Sequence, residues 1–166
     1  MLRANSLSCY HDARGVTRLA APDFMGIALA EAKAAADAGE VPVGCVIARD
    51  GEMIARAGNR TLRDRDPTAH AEVLALRAAA AKLGSERLTG CDLYVTLEPC
   101  TMCAAAISFA RIRRLYFGAG DPKGGAVESG VRFFNAPTCH HKPEVYGGIG
   151  EADASAILKE FFATRR

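Results

Sequence analysis

Leu93-Tyr94-Val95-Thr96-Leu97-Glu98-Pro99-Cys100-Thr101-Met102-Cys103 reads as a strand that runs straight into a helix. Asp92–Leu97 is rich in Leu, Val and Tyr, the composition of a buried strand. Pro99 then suits the opening of a helix that continues over 103–110. Two cysteines three positions apart lie on neighbouring points of one helical turn. Unpaired N–H groups at a helix start favour the thiolate over the thiol, and the thiolate is the form that binds metal.

A second motif lies upstream. His70-Ala71-Glu72 follows Asp66-Pro67, which reads as an N-cap and a first-turn proline ahead of a helix over 69–83. Zinc takes about four ligands, and a catalytic site leaves one position to water. His70, Cys100 and Cys103 supply three. Residues i and i+2 of a helix point to nearly opposite sides, so His70 and Glu72 converge only on something near the helix end. A metal held between two helix starts meets that demand. Glu72 is then the acid/base rather than a ligand: it takes a proton from the attacking water and returns one to a leaving amine. Taken singly, the cysteine pair also suits half of a structural zinc knuckle, a redox pair or core packing. The combination of His-x-Glu with Pro-Cys-x-x-Cys matches the signature of zinc deaminases of nucleobases.

The surrounding sequence extends the pattern. Glu40-Val41-Pro42-Val43-Gly44, Gly58-Asn59-Arg60, the stretch from Asp66 to Glu72, the stretch from Leu93 to Cys100, and Phe117-Gly118-Ala119 followed by Asp121 resemble the bacterial tRNA adenosine deaminases of the cytidine and deoxycytidylate deaminase superfamily. The likeness runs from about Asp23 to Arg166. It implies conversion of adenosine to inosine at the wobble position of a tRNA anticodon loop, one Zn2+ per subunit, and a homodimer whose subunits together shape each site. It also implies roles by position. His70, Cys100 and Cys103 match the zinc ligands, and Glu72 the proton shuttle. Asn59 matches a residue whose amide meets the purine edge, and the Ala71 backbone a group that hydrogen-bonds the flipped base. Val43 and Leu97 would line the base pocket, and Asp121 would meet the ribose. Phe161, Phe162 and Arg165 resemble residues that embrace the anticodon loop. Asn135-Ala136-Pro137 departs from the His-His-Pro of well-known members, with His140-His141 following a little later.

Composition is compatible with these readings. A chain of 166 residues that is 49% apolar can build one full core, so residues 23–166 are expected to form a single zinc deaminase domain. Residues 1–22 are expected to be a disordered extension. A net charge of +2 does not by itself announce nucleic acid. Arg56, Arg60, Arg63 and Arg65 near the His70 motif, and Arg111, Arg113 and Arg114 after the cysteine helix, are candidate phosphate contacts or solvated faces. Cys45 and Cys91 read as small core residues. Cys139-His140-His141 reads either as a loop or, less simply, as a second metal cluster. Zinc thiolates suit a reducing cytoplasm, and no run is long enough to span a membrane.

Asp23 caps a helix over 24–38, stopped by Gly39. Two strands, 43–49 and 52–58, flank the two-residue turn Asp50-Gly51, a strong hairpin signal. A strand over 113–118, a brief element over 131–134, a short strand over 144–147 and a helix over 151–164 complete the chain. In that last helix Ile157 and Leu158 are expected to pack and Phe162 to stay free. The order of elements predicts a three-layer α/β/α sandwich with a mixed five-stranded sheet. Two functional alternatives share the metal motif: a deaminase of free bases or nucleosides, such as guanine or cytosine, and a non-catalytic zinc-binding module.

Overall fold

The structure, a computed structural model, describes residues 9–11, 17–19 and 22–165. Strands β1 (Cys9–His11) and β2 (Thr17–Leu19) pair antiparallel as a separate two-stranded sheet. The expected disordered extension otherwise falls outside the described residues, as does Arg166.

Helix α1 (Phe24–Asp37) starts as the sequence predicts, the Asp23 carboxylate accepting the Gly26 N–H at 2.8 Å. Gly39 follows at φ 84°, a left-handed conformation that stops the helix. Strands β3 (Gly44–Arg49) and β4 (Glu52–Gly58) form the expected hairpin. Asp50 and Gly51 both take positive φ, 54° and 81°, so the turn twists in the sense of the strands it joins. The short helix α2 (Thr61–Asp64) occupies the arginine-rich loop. Helix α3 (Ala71–Leu83) is followed by β5 (Asp92–Leu97), α4 (Thr101–Phe109), β6 (Arg114–Ala119), a 3-10 turn at Phe133–Asn135, β7 (Glu144–Tyr146) and α5 (Glu151–Ala163).

The main sheet has the order β4-β3-β5-β6-β7. The β3 strand is antiparallel to β4 and β5, whereas β5, β6 and β7 run parallel. Helices α1 and α5 pack on one face, α3 and α4 on the other, which is the expected three-layer arrangement with a mixed five-stranded sheet. Alternation of side chains divides the strands between the layers. Cys45, Ile47, Leu93, Val95, Leu115 and Phe117 point into the larger core, beneath α3 and α4. Val46 and Ala48 point the other way, toward Phe24, Met25 and Ala28 of α1. On that second face Tyr94, Tyr116 and Tyr146 stack across β5, β6 and β7, with ring centroids 4.5 and 5.0 Å apart. Gly44 lets α1 lie directly on β3: a Cβ there would run into the Ala28 carbonyl. Cys45 and Cys91 are fully buried, as core cysteines should be.

Two helix starts differ from the sequence expectation. Asp66 does not cap α3. Its carboxylate accepts the Thr68 N–H and hydroxyl at 2.8 and 2.7 Å, closing a local turn that competes with the helix. His70 itself is the N-cap, with extended φ,ψ of −70° and 150°. In the same way Cys100, not Pro99, borders α4, at φ,ψ of −72° and 174°. The predicted element at 131–134 is the 3-10 turn two residues later, and Val131 is exposed.

This topology collects one end of the sheet into a site. Val43 precedes β3, Asn59 follows β4, Leu97 ends β5 and Asp121 follows β6. In a parallel sheet the carboxyl ends of strands, facing helix starts, are where α/β proteins place ligands.

Candidate zinc and catalytic site

The two helix starts meet at this end. The ligand atoms of His70, Cys100 and Cys103 lie within 4.8 Å of one another. The His70 Nδ1 is 3.7 Å from the Cys100 sulfur and 3.5 Å from the Cys103 sulfur. Because His70 and Cys100 are both N-caps, each side chain leaves its helix end instead of lying along it, and Cys103 reaches the same point from the first turn of α4. Glu72, in the first turn of α3, is 4% exposed and faces the same space. The spacing that cannot converge within a helix converges here because His70 stands just outside it.

Electrostatics mark this as a site for a cation. The S–H of Cys103 donates to Cys100 and, against burial, lowers the Cys100 thiol to about 4. Cys103 is pushed strongly up, first by that shared hydrogen bond and then by burial. Burial also pushes the Glu72 carboxyl up, which suits a group that must receive a proton. A nitrogen and two thiolates are a zinc donor set, and three protein ligands leave the fourth tetrahedral position open. The residues present therefore fit one zinc ion.

Beside this cluster lies a cavity of about 300 Å³ bounded by Val43, Asn59, His70, Glu72, Leu97 and Asp121. It continues outward into a groove of about 810 Å³ that shares Val41, Leu97, Asp121 and Gly124 with it and adds Lys123, Phe162 and Arg165. Of the residues singled out from the sequence, Asn59 is buried, its amide N–H₂ directed to Glu40 at 3.4 Å and to the Thr61 hydroxyl at 3.3 Å. Ala71 is fully buried, its side chain in the core beneath the site. Phe162 is 51% exposed in the groove, while Phe161 is buried and packs edge-on against it at 5.3 Å. Ile157 and Leu158 are only half-buried; Ala154 and Phe161 are the residues of α5 that enter the core. The Arg165 guanidinium sits 3.7 Å over the Phe161 ring and donates to the Gly39 carbonyl at 3.2 Å.

Several arginines are not free for phosphate. Arg113 grips Asp92 with two hydrogen bonds of 2.8 Å. Arg56 pairs with Glu31, Arg60 with Asp64, and Arg114 with Glu144, while Arg111 donates to the His140 carbonyl at 2.8 Å. Cys139, His140 and His141 form no metal cluster among the described residues. The segment is instead a latch on α4: the Ser108 hydroxyl donates to the His141 carbonyl at 2.7 Å, and the His141 Nε2 meets the Ile112 carbonyl at 2.7 Å.

Sequence reasoning missed two buried carboxylates. Glu40 is 1% exposed and accepts the N–H groups of Arg63 and Leu62 at 2.7 and 3.2 Å, together with the Thr61 hydroxyl and the Asn59 amide. Glu98 is 3% exposed and accepts four backbone N–H groups. In both, burial raises the carboxyl pKa, but the backbone donors outweigh it and hold the group below the ordinary value of 4.5. The signal available in sequence was a lone glutamate among apolar residues and proline: Glu40-Val41-Pro42 and Leu97-Glu98-Pro99.

Residues 20–119 match the family described as the cytidine and deoxycytidylate deaminase zinc-binding region. The chain belongs to this family. Over 143 residues the deaminase is 64% identical to a tRNA-specific adenosine deaminase of Agrobacterium fabrum, covering 86% of this chain and 94% of the relative. Among solved structures, one from studies of A-to-I editing by tRNA:A34 deaminases at the wobble position of transfer RNA shares 65% identity at a TM-score of 0.81. It covers 81% of this deaminase and 98% of that chain. A guanine deaminase from Nitrosomonas europaea is more distant, 27% identical at a TM-score of 0.71, covering 88% and 87%.

Proposed function

We infer that the protein is a zinc-dependent hydrolase that deaminates adenosine to inosine at the wobble position of tRNA anticodons. The observation that carries this is the 64% identity to a tRNA-specific adenosine deaminase across 94% of that relative. The metal-binding cluster and the buried Glu72 beside one small cavity supply the chemistry. The free-base alternative shares both, but its structural representative is far less similar to this chain.

His70, Cys100 and Cys103 would hold the zinc, which when bound is a Lewis acid that brings the pKa of water toward neutrality. Glu72 accepts a proton from the attacking water as its oxygen adds to C6 of the purine. The same carboxyl then delivers that proton to the amine, which leaves as ammonia and yields inosine. Val43 and Leu97 offer apolar walls for a base, and in this reading the Asn59 amide and the Ala71 backbone would meet its edge. Asp121 borders both the cavity and the groove and would meet the ribose. Phe162 offers a face to a neighbouring base, and Arg165 a charge at the far side of the groove. A single-stranded anticodon loop presents its base at low unstacking cost.

The relevant unit is residues 23–166 as one domain, assembled as a homodimer. An apolar groove lined by Val73, Leu76, Leu88 and Ala106, with Phe109 68% exposed at its rim, supports such a pairing. A tRNA substrate and two cysteines required as thiolates favour the cytoplasm. No described helix is long and apolar enough to cross a membrane.

The test is to incubate the protein separately with an anticodon stem-loop carrying adenosine at the wobble position, free adenosine, guanine and cytosine, and to weigh the products. A one-dalton gain in the stem-loop alone is expected. Turnover of only the free bases would overturn the reading.

A further inference from the structure

The 120–130 segment, between β6 and the 3-10 turn, carries two residues of the cavity wall, Asp121 and Gly124, and two further residues of the groove, Gly120 and Lys123. It has little secondary structure of its own. Within it the Asp121 Oδ1 accepts the N–H groups of Lys123 and Gly124 at 3.1 and 3.0 Å, and the side chain that gathers the most of its donors is Glu98, just after β5. The Glu98 Oε1 accepts the N–H groups of Val127, Glu128 and Ser129 at 3.1, 2.8 and 2.7 Å. Its Oε2 accepts the N–H of Asp121 at 2.9 Å and the Ser129 hydroxyl at 2.8 Å.

The backbone is shaped to this carboxylate. A Cβ on Gly125 would lie 2.5 Å from both the Glu98 carboxyl carbon and Oε2, and also 2.5 Å from the Asp121 carbonyl. No side chain fits there. Gly130, at φ 53°, turns the chain back so that its Cβ position abuts the Gly125 carbonyl. The loop thus wraps one buried anion with five donors, much as an anion-binding concavity of backbone N–H groups would.

We propose that Glu98 is a positioning residue for the deamination: it sets where Asp121, Lys123 and Gly124 stand, and so determines how firmly the RNA is held. This rests on the tRNA deaminase reading given above. Glu98 itself borders the cavity beside Cys100 and Asp121, but both of its carboxylate oxygens are taken by donors of the loop. The Cys100 turn has its own ties to the same loop, through Ala126 N–H to the Pro99 carbonyl at 2.9 Å and a bridge between Cys100 and Gly125. Loss of the carboxylate therefore loosens the groove wall while the zinc ligands keep their helix-start supports. An interaction made equally in ground and transition states raises KM when lost and leaves kcat.

The experiment compares E98Q, S129A and G125A with the wild-type enzyme. Glutamine keeps the volume but turns an N–H₂ group toward backbone donors. Ser129→Ala removes one donor at the margin, and Gly125→Ala pushes a methyl into the carboxylate from the other side. The expected result for E98Q and G125A is a KM for the adenosine stem-loop raised about tenfold, with kcat within about threefold and zinc still at one per chain. S129A should give a smaller shift in the same direction, and E98D a partial recovery relative to E98Q. Hydrogen exchange supplies a readout independent of activity: the amides of Asp121, Val127, Glu128 and Ser129 should exchange faster in E98Q, and those of α3 and α4 should not. Unchanged KM in E98Q and G125A overturns the proposal. So does a fall in kcat or zinc content at constant KM, which would assign Glu98 to the metal turn instead. If E98Q does not fold, S129A and G125A decide alone, and an unaltered KM in both sinks the idea. Failure of the wild-type enzyme on the stem-loop would count against the function itself, not against this role.

Discussion

The Nδ1 of His70 lies 3.5 Å from the sulfur of Cys103, although the two are 33 positions apart in sequence. Each belongs to the start of a different helix, and the helices lie on the same face of the sheet. A metal-binding corner results whose donors are held by backbone geometry and not by their own flexible reach. Substituting His70 by Ala, or Cys103 by Ser, should remove zinc measured by mass spectrometry. Deamination should fall on the order of a thousandfold, the equivalent of a few kcal/mol of transition-state stabilisation. Chelation should reproduce this loss, and added zinc should reverse it.

Glu72 separates metal binding from proton transfer. Glu72→Gln should retain zinc and still bind the stem-loop, while ammonia release falls by about 10²–10⁴-fold. Substantial release from a zinc-loaded Glu72→Gln enzyme would mean that another group carries the proton.

Glu40 ties stability to pH. Its folded-state pKa lies below the ordinary 4.5, so its contribution is fully present above that value and is lost as pH falls through the lower, folded-state pKa. Glu40→Gln should cost about 1–3 kcal/mol at neutral pH, because buried N–H donors lose their acceptor. The denaturant midpoints of the two proteins should approach each other as the pH drops below 4.5. A constant gap down to strongly acidic pH would contradict this account.

The adjacent phenylalanines should behave oppositely. Phe161 is 8% exposed and Phe162 51%. Phe161→Ala should lower stability by about 3–5 kcal/mol, as large-to-small core changes do. Phe162→Ala should leave the melting temperature nearly unchanged and weaken RNA binding by about 1–3 kcal/mol, the value of one base stacked on an aromatic ring. Thermal melts and stem-loop titrations distinguish the two.

Not every arginine near the site should answer to salt. Lys123, in the groove, should contribute about one unit to the slope of log affinity against log salt, lost in Lys123→Ala. Arg113, committed to Asp92 by two bonds, should leave the slope unaltered in Arg113→Ala and reduce stability instead. An equal effect of both on the slope would show that the Asp92 pair opens for RNA.

What the amino-acid order determined by itself was local or chemical. The Asp23 cap, the Asp50-Gly51 turn and the strand Asp92–Leu97 depend on neighbours a few positions away, and each forms where its sequence places it. The identity of His70, Cys100 and Cys103 as zinc donors follows from what imidazole and thiolate are. Tertiary structure decided the rest, because it depended on competition with distant partners. Asp66 is a good cap by type, yet the Thr68 hydroxyl and N–H claim it and leave His70 at the helix start. Seven arginines look alike in sequence, but partners such as Glu31, Asp92 and Glu144 neutralise some of them only once the sheet is assembled. Glu40 and Glu98 are ordinary glutamates until folding removes their water, and a buried carboxylate then demands donors from whatever backbone lies closest. That demand shapes the two loops bordering the cavity; a lone glutamate among apolar residues and proline hints at the burial, but nothing local names the donors.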